Sequence, residues 1–128
     1  MATVWYHNNN MEILVTHELV SKETLHELAQ AWYGDLVKGV ADCRRGIIAL
    51  GGDWHIDANN VLIADGSRQE DLWGFNLFPD KRGNAAIEYH SLINIRPAQG
   101  NRDMELQDGA LRSRIRDVVK KLLPELGL

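Results

Sequence analysis

Apolar and polar residues follow two different periods along the chain. The run Glu12–Thr16 (EILVT) is rich in branched residues and predicts a short strand. A helical pattern follows between Ser21, a typical N-cap, and Gly34, a residue typical of the position just after a helix. The apolar stripe of this predicted helix consists of Leu25, Leu28, Ala29 and Trp32.

The segment 36–50 has an ambiguous pattern. Its apolar residues mostly fit the helical period and alternation fails at Arg44, which favours a second helix. The competing interpretation is a hairpin that turns near Asp42–Arg45. Gly39 and Gly46 weigh against the helix, because each costs about 1 kcal/mol relative to alanine in a helix interior. We predict the helix and keep the hairpin as its alternative.

The second half of the chain has the pattern of a sheet. Val61–Ala64, Leu72–Phe78 and Ile87–Arg96 are the predicted strands, and the last is the longest. Both faces of Leu72–Phe78 carry apolar residues, which predicts a central strand. Asp108 is then the expected N-cap of a terminal helix. The stripe of that helix consists of Leu111, Ile115, Val118, Val119 and Leu122.

The order β-α-α-β-β-β-α predicts an α+β fold, with a small, mainly antiparallel sheet and helices packed on one face. Residues 11–128 are expected to form this single domain. The first ten residues, MATVWYHNNN, differ from the rest, and Met11 stands where a strand begins. We predict that residues 1–10 are a leader or extension, either loose or folded back as an edge strand. A natural N-terminal strand is the alternative.

Length and charge narrow the class of protein. A chain of 128 residues suits one domain with its own core. A net charge of −4 and an isoelectric point near 5.7 argue against nucleic acid and membrane surfaces as general partners. The single cysteine, Cys43, cannot form an internal disulfide, and no apolar run has the length of a membrane span. These features predict a cytoplasmic protein.

The segment Ser91–Met104 (SLINIRPAQGNRDM) carries more polar recognition chemistry than a surface loop needs. Arginines and amides at a strand end are typical of a site for an anion or a polar ligand. Arg96 precedes a proline, which holds its backbone extended, and Gly100 permits a reversal that would bring Arg102 towards Arg96. The predicted ligand-binding residues are Asn76, Asn94, Arg96, Gln99, Asn101 and Arg102.

These side chains favour a binding module for a small anionic or polar ligand, or for an acidic segment of a partner protein. The alternative is structural: the arginines pair with neighbouring acids and only fix the loop. The candidate acids are Glu88, Glu105, Asp71 and Asp103. The sequence identifies neither the ligand nor a cofactor.

A hypothesis from a different class is a metal-dependent hydrolase or nuclease. His55 and Asp57 would share one face of a strand, as metal ligands or as a general base with its orienting acid. Further ligands would have to come from Asp65, Glu88 or His90, at no recognised spacing. The structural alternative is a connection whose side chains satisfy local backbone groups. We therefore predict no metal site.

A second pattern of the same class is Pro79-Asp80 followed by Glu88-x-His90. It resembles the PD…ExK arrangement of nucleases, in which two carboxylates hold magnesium. Histidine replaces the lysine here and the spacing is short, so chance explains the match better than function.

A third hypothesis is assembly, with Trp54 or Trp73 on a homodimer surface. The position of His55 and Asp57 relative to Arg96 separates the first two hypotheses. A shared pocket would favour an enzyme, and opposite ends of the sheet would favour a binding module.

Two long stretches of the chain resemble a small uncharacterised prokaryotic family that is known only as a domain of unknown function. The stretches are GGDWHIDANNVLIADGSRQEDLWGFNLFPD and EYHSLINIRPAQGNRDMELQD, and DGSRQEDLWG and SLINIRPAQGNR are their most specific parts. The resemblance runs from about Met11 to Leu123. It implies a compact prokaryotic cytoplasmic protein, but it implies no activity and supplies no catalytic residues.

Overall fold

An antiparallel sheet forms the middle layer of the molecule. The computed structural model describes residues 3–8 and 11–128, and within them the sheet has six strands. The strands are β1 (Thr3–Asn8), β2 (Met11–Thr16), β3 (Val37–Asp42), β4 (Ile47–Gly51), β5 (Leu72–Leu77) and β6 (Ile87–Glu88). They lie in the order β1-β2-β4-β3-β5-β6, and each neighbouring pair is antiparallel.

Helices cover both faces of this sheet. The α-helices of the described residues are α1 (Lys22–Trp32), α2 (His55–Ala64) and α3 (Gly109–Leu122). α1 and α3 pack on one face, in a core that includes Phe75 and Ile48, whereas α2 packs on the other face, against Val40 and Leu72. The α+β prediction is confirmed. The expectation that all helices lie on one face is wrong, because α2 covers the second face.

The two amphipathic helices begin and end as their capping residues predict. The Ser21 hydroxyl accepts a hydrogen bond from the Thr24 N–H at 3.1 Å, and Gly34 has a φ of +82° just after α1. The Asp108 carboxylate accepts from the Ala110 N–H at 2.9 Å at the start of α3. These caps satisfy amide groups that have no partner inside a helix.

The segment 36–50 is a hairpin, so the helix that we predict there is wrong and its alternative is right. β3 and β4 are buried on both faces, and this hides the alternation expected of strands. Asp42 sets the turn: its Oδ1 accepts from the N–H groups of Arg44 and Arg45, both at 2.9 Å. Gly46 closes the turn with a φ of +66°, which favours glycine.

The predicted strand Val61–Ala64 is also wrong, because these residues form the end of α2. A short apolar run does not distinguish a strand from a buried helix segment. The sequence does not indicate the start of this helix either, because its N-cap is Trp54, which is not a typical capping residue. The side chain that bonds the N-cap belongs to Asp57, inside the helix. The Asp57 carboxylate accepts from the Trp54 N–H at 3.0 Å.

The predicted strand Ile87–Arg96 is a strand only at Ile87–Glu88. Beyond β6 the chain still follows the outer edge of β5, but a 3₁₀ turn over Leu92–Asn94 breaks the regular pairing. The Asn94 amide then replaces a backbone peptide: its Oδ1 accepts from the Gly74 N–H at 2.8 Å and its Nδ2 donates to the Gly74 carbonyl at 3.0 Å. β5 lies next to the edge strand of the sheet, and it is buried on both faces.

The first strand lies at the far edge of the sheet. β1 pairs with β2 from Thr3–Thr16 to Asn8–Met11, so residues 3–8 fold back along the sheet. The rest of the predicted leader, residues 1–2 and 9–10, lies outside the described residues. Its origin as an extension stays a prediction. None of the helices in the described ranges has the length and apolar character that a bilayer crossing requires.

Candidate functional site

A pocket opens where β5 ends, between the first turn of α2 and the segment 90–93. Its volume is about 340 Å³, at the lower end of the range for small-molecule sites. More apolar than polar surface lines it. The lining residues are Lys38, Trp54, His55, Ile56, Asn76, His90, Ser91, Leu92, Ile93 and Met104.

Two features of the sheet position the polar side chains of this pocket. Lys38 and Asn76 are register partners on β3 and β5, so they stand side by side on the same face. Gly74 lets the other walls approach β5, because a Cβ there would lie 2.6 Å from the Ser91 Cβ and 3.2 Å from the His55 Cδ2. The absence of a side chain at Gly74 thus leaves room for Ser91 and His55 to pack over the strand.

Asn76 carries the most informative polar group of the pocket. Its Nδ2 donates to the Glu88 carboxylate at 2.8 Å and to the His90 carbonyl at 3.2 Å. Both partners can only accept, so the orientation of the amide is fixed and Oδ1 is its remaining acceptor. Asn76 is 5% exposed, and no donor in the described ranges forms a well-aligned hydrogen bond with this Oδ1, although the His55 ring lies beside the amide. Leaving a buried acceptor unpaired costs about 1–3 kcal/mol, which calls for an explanation.

His55 is a neutral imidazole at the same site. Its Nε2 lies 2.8 Å from the Phe75 carbonyl, which can only accept, so we assign the ring hydrogen to Nε2. Burial lowers the pKa of His55 to about 4, and the ring is therefore uncharged at neutral pH. Its other nitrogen, Nδ1, keeps a lone pair and can only accept.

A cation and two aromatic rings form one side of the rim. The Lys38 Nζ lies 5.2 Å from the ring centroid of Tyr33 and 5.8 Å from that of Trp54. The Tyr33 hydroxyl lies 2.5 Å from the Asp53 carbonyl and 2.9 Å from the Asp53 carboxylate, and a hydrogen bond to Asp53 fixes the ring. The ion pairs of residues 3–8 and 11–128 do not include Lys38. The contacts of the Lys38 ammonium among these residues are therefore cation–π contacts with the two rings.

An imidazole and a carboxylate form a pair at the opposite side. His90 and Glu105 are partners in an isolated antiparallel bridge, and the His90 Nδ1 lies 3.1 Å from the Glu105 Oε2. Glu105 also accepts from Arg112 at 3.0 Å. Because the Glu105 carboxylate can only accept, the His90 Nδ1 donates to it. This bond orients the His90 ring, and Nε2 is the ring nitrogen that Glu105 does not bind.

Arg96 lies at the other end of β5, away from this pocket. Its guanidinium carbon is 3.5 Å from the ring centroid of Trp73, so the two planes are in contact. Its terminal nitrogens donate to the Gln69 carbonyl at 2.6 Å and to the Leu72 carbonyl. Burial lowers the pKa of Arg96 to about 10, which leaves it charged at neutral pH. These contacts fix the segment against the start of β5.

The amides predicted beside Arg96 bind the backbone. Asn94 bonds Gly74, Gln99 donates to the Glu70 carbonyl at 3.0 Å, and Asn101 donates to the Asn94 carbonyl at 2.8 Å. The expected reversal is present, since Gly100 has a φ of +84° and Arg96 pairs with Asn101. Arg102 is exposed, and its convergence with Arg96 stays a prediction. Of the six predicted ligand residues, only Asn76 lines the pocket.

Replacing Arg96 with lysine is expected to lower the free energy of unfolding by about 1–3 kcal/mol, because an ammonium keeps the charge but loses the paired donors and the planar contact with Trp73. Urea titration measures the change. Arg102→Lys is the matched control and should stay within about 0.5 kcal/mol of the parent. Equal effects of the two substitutions would contradict a structural role for Arg96.

The residues of the metal hypothesis do not meet. His55 and Asp57 lie two positions apart on a helix, not on a strand, and positions so spaced do not face each other. Asp80 pairs with His26 at 2.8 Å, whereas Glu88 bonds Asn76. No group of three or more His, Cys, Asp or Glu residues within the described ranges could hold a metal ion. His55 also lies apart from Arg96, since its ring bonds the Phe75 carbonyl whereas Arg96 bonds the Gln69 and Leu72 carbonyls at the start of β5.

The assembly hypothesis loses one of its two tryptophans. Trp73 is 4% exposed and belongs to the core, so it is not a surface residue. Trp54 is 57% exposed and stands at the rim of the pocket.

Lys38 is the site residue that sequence reasoning missed. It lies in the segment 36–50, where a helix is the prediction, and a helix gives it no fixed relation to Asn76. A strand over Val37–Asp42 paired with β5 would have placed the two side by side. Met104 and Leu92 carry no signal of their own, because single apolar residues are common in loops.

One family model matches residues 13–122 and so covers most of the chain. The family is described as a protein of unknown function, DUF5674. No curated protein and no solved structure matches this sequence. The resemblance to a family of unknown function, expected from the strings around β5 and the segment 90–104, is confirmed. The chain belongs to the DUF5674 family.

Proposed function

We propose that the protein is a binding module that holds a small polar ligand in the pocket at the end of β5. The volume suits a small molecule, and a mainly apolar lining with a few polar groups is the usual composition of such sites. The side chains beside Arg96 support the module by fixing the segment 90–104 that forms one wall. In this proposal the polar cluster around Arg96 holds one wall of the pocket in place, and the ligand contacts Asn76.

One observation carries the proposal, namely the Oδ1 of Asn76. Buried polar atoms in folded proteins have partners as a rule, and each exception calls for an explanation, such as a functional role or a bound water or ion. Glu88 and the His90 carbonyl fix the amide so that Oδ1 cannot exchange places with the satisfied nitrogen. A ligand that donates to this atom would complete the hydrogen bonding of Asn76.

We also propose the cytoplasm as the location, on the basis of the single cysteine. Cys43 is a free thiol and half-buried. Burial raises the pKa of this thiol to about 11, so it is protonated at neutral pH and has little nucleophilic reactivity. A structural thiol of this kind suits a reducing compartment.

The test is a thermal-shift screen against nucleosides, amino acids, carboxylates and phosphates, repeated on Asn76→Leu. A ligand at 100 times its dissociation constant adds about 2.7 kcal/mol to the stability of the folded protein. We expect at least one compound to raise the melting temperature of the parent. Asn76→Leu should lose that rise, because it keeps the volume of the side chain but removes the acceptor.

Asn60→Leu is the matched control, since Asn60 is an exposed asparagine on α2. It should respond to the compound as the parent does. Far-ultraviolet circular dichroism checks that both variants are folded. The proposal fails if no compound stabilises the parent, or if every stabilising compound acts equally on Asn76→Leu.

A further inference from the structure

We infer that the ligand of this pocket is a small molecule with a hydrogen-bond donor at its inner end, an apolar ring or chain in the middle, and an anionic group at its outer end. The inference rests on the proposed function and names the chemical class that the pocket selects. Three groups of observations support it, one for each part of the ligand.

The inner end must donate because the side chains there accept. Asn76 has used both hydrogens of its amide, and its Oδ1 remains. His55 has used its one ring hydrogen on the Phe75 carbonyl, so its neutral ring has no hydrogen left to donate to a ligand. An amine, an amide N–H or a hydroxyl complements these groups. A carboxylate or phosphate at this end would place acceptor against acceptor and leave both unpaired.

The outer end meets the charge of Lys38. This ammonium has no carboxylate partner in the described ranges, and it is held over the rings of Tyr33 and Trp54. Lys38 is the register partner of Asn76, so a molecule that reaches the amide passes directly beside the lysine side chain. An anionic group on that molecule would pair with the ammonium.

The middle of the ligand is apolar because the walls are. Trp54, Ile56 and Leu92 are 57%, 47% and 60% exposed, and together they give the opening an apolar rim. A ligand ring lying between them would remove this surface from water. The volume of about 340 Å³ limits the ligand to about one ring with its substituents.

The test compares 4-aminobenzoate, which has all three parts, with benzoate, which lacks the donor, and aniline, which lacks the anion. Calorimetric titration of the parent should show 4-aminobenzoate binding at least tenfold more tightly than either fragment. Asn76→Leu should reduce the affinity for 4-aminobenzoate to that for benzoate and leave benzoate unchanged. Lys38→Met should reduce it to the affinity for aniline, while Lys120→Met, an exposed lysine on α3, should have no effect.

The inference is overturned if benzoate binds as tightly as 4-aminobenzoate, if 4-aminobenzoate does not bind, or if Lys38→Met leaves its affinity unchanged. These results are distinct from a failure of the proposed function. A compound of another class that stabilises the parent but not Asn76→Leu would keep the pocket as a binding site and reject only the ligand class. The absence of any Asn76-dependent compound would reject both.

Discussion

Replacing Trp73 with alanine is expected to lower the free energy of unfolding by about 3–5 kcal/mol. Trp73 is 4% exposed and shares the face of β5 that packs against α1 and α3, together with Phe75 and Leu77. Truncation removes most of a large buried side chain and leaves a cavity that a sheet between two helical layers cannot easily close. It also removes the ring on which the Arg96 guanidinium lies. Urea denaturation followed by circular dichroism measures the loss.

Trp32→Ala is the control for this substitution. Trp32 ends α1 and is 41% exposed, so its predicted place in the buried stripe of α1 is wrong, and its removal should cost about 1–2 kcal/mol, clearly less than that of Trp73. A loss below about 1 kcal/mol for Trp73→Ala would mean that the ring is at the surface in solution. The packing of β5 between two helical layers would then be wrong.

Replacing Asp42 with alanine is expected to cost about 3–5 kcal/mol, because it removes one member of a buried network that includes a charge. Asp42 is fully buried. One of its oxygens accepts from two backbone N–H groups of the β3–β4 turn, and the other accepts from the Ser67 hydroxyl at 2.6 Å. Without the carboxylate these donors lose their acceptor, and Arg45 is left with Asp65, 2.7 Å away, as its acidic partner.

Asp42→Asn separates the turn from the charge. The amide keeps an oxygen for the turn, so this variant should lose only about 1–2 kcal/mol. Arg44→Ala tests the surface side, since Arg44 is exposed and its ion pair with Asp71 is expected to contribute about 0–1 kcal/mol. Equal losses for Asp42→Ala and Arg44→Ala, measured by urea titration, would contradict the role given to the buried carboxylate.

Elements with local signals could be predicted from the sequence. α1 and α3 have a 3.6-residue stripe with a serine or aspartate cap, and both signals depend on neighbouring residues alone. β2 and β5 are short branched or aromatic runs between turns, and they are where the pattern places them. In each case the local preference agrees with the final packing.

The segments that sequence could not assign are those whose structure depends on distant residues. β3 and β4 are buried on both faces because α2 covers the side that an open sheet would expose to solvent, and double burial erases alternation. α2 gave the opposite error, since a short helix with apolar residues around its whole circumference has the composition of a strand. Both errors have one cause: local sequence patterns do not show that α2 forms a second helical layer on this face of the sheet.

The candidate site also has one part that the sequence predicts and another part that depends on distant residues. Asn76 could be named in advance because it is an amide on a clear strand. The pocket around it could not, because its walls come from three separate parts of the chain: β3, the start of α2 and the segment after β6. The dense polar cluster around Arg96 was the strongest local signal, and the amides and guanidinium in it mostly bind backbone carbonyls.

The Asn94 amide on Gly74 and the Arg96 guanidinium on Leu72 have a further consequence for association. The outer side of β5 beyond its short pairing with β6 would otherwise present free peptide groups, the feature through which sheets join edge to edge and aggregate. Side chains of the same chain satisfy those groups, so this side of the sheet has little to offer a second strand. Growth of the sheet by added strands, whether into a dimer or a fibre, is therefore expected at β1, the six-residue edge strand on the opposite side, rather than along β5.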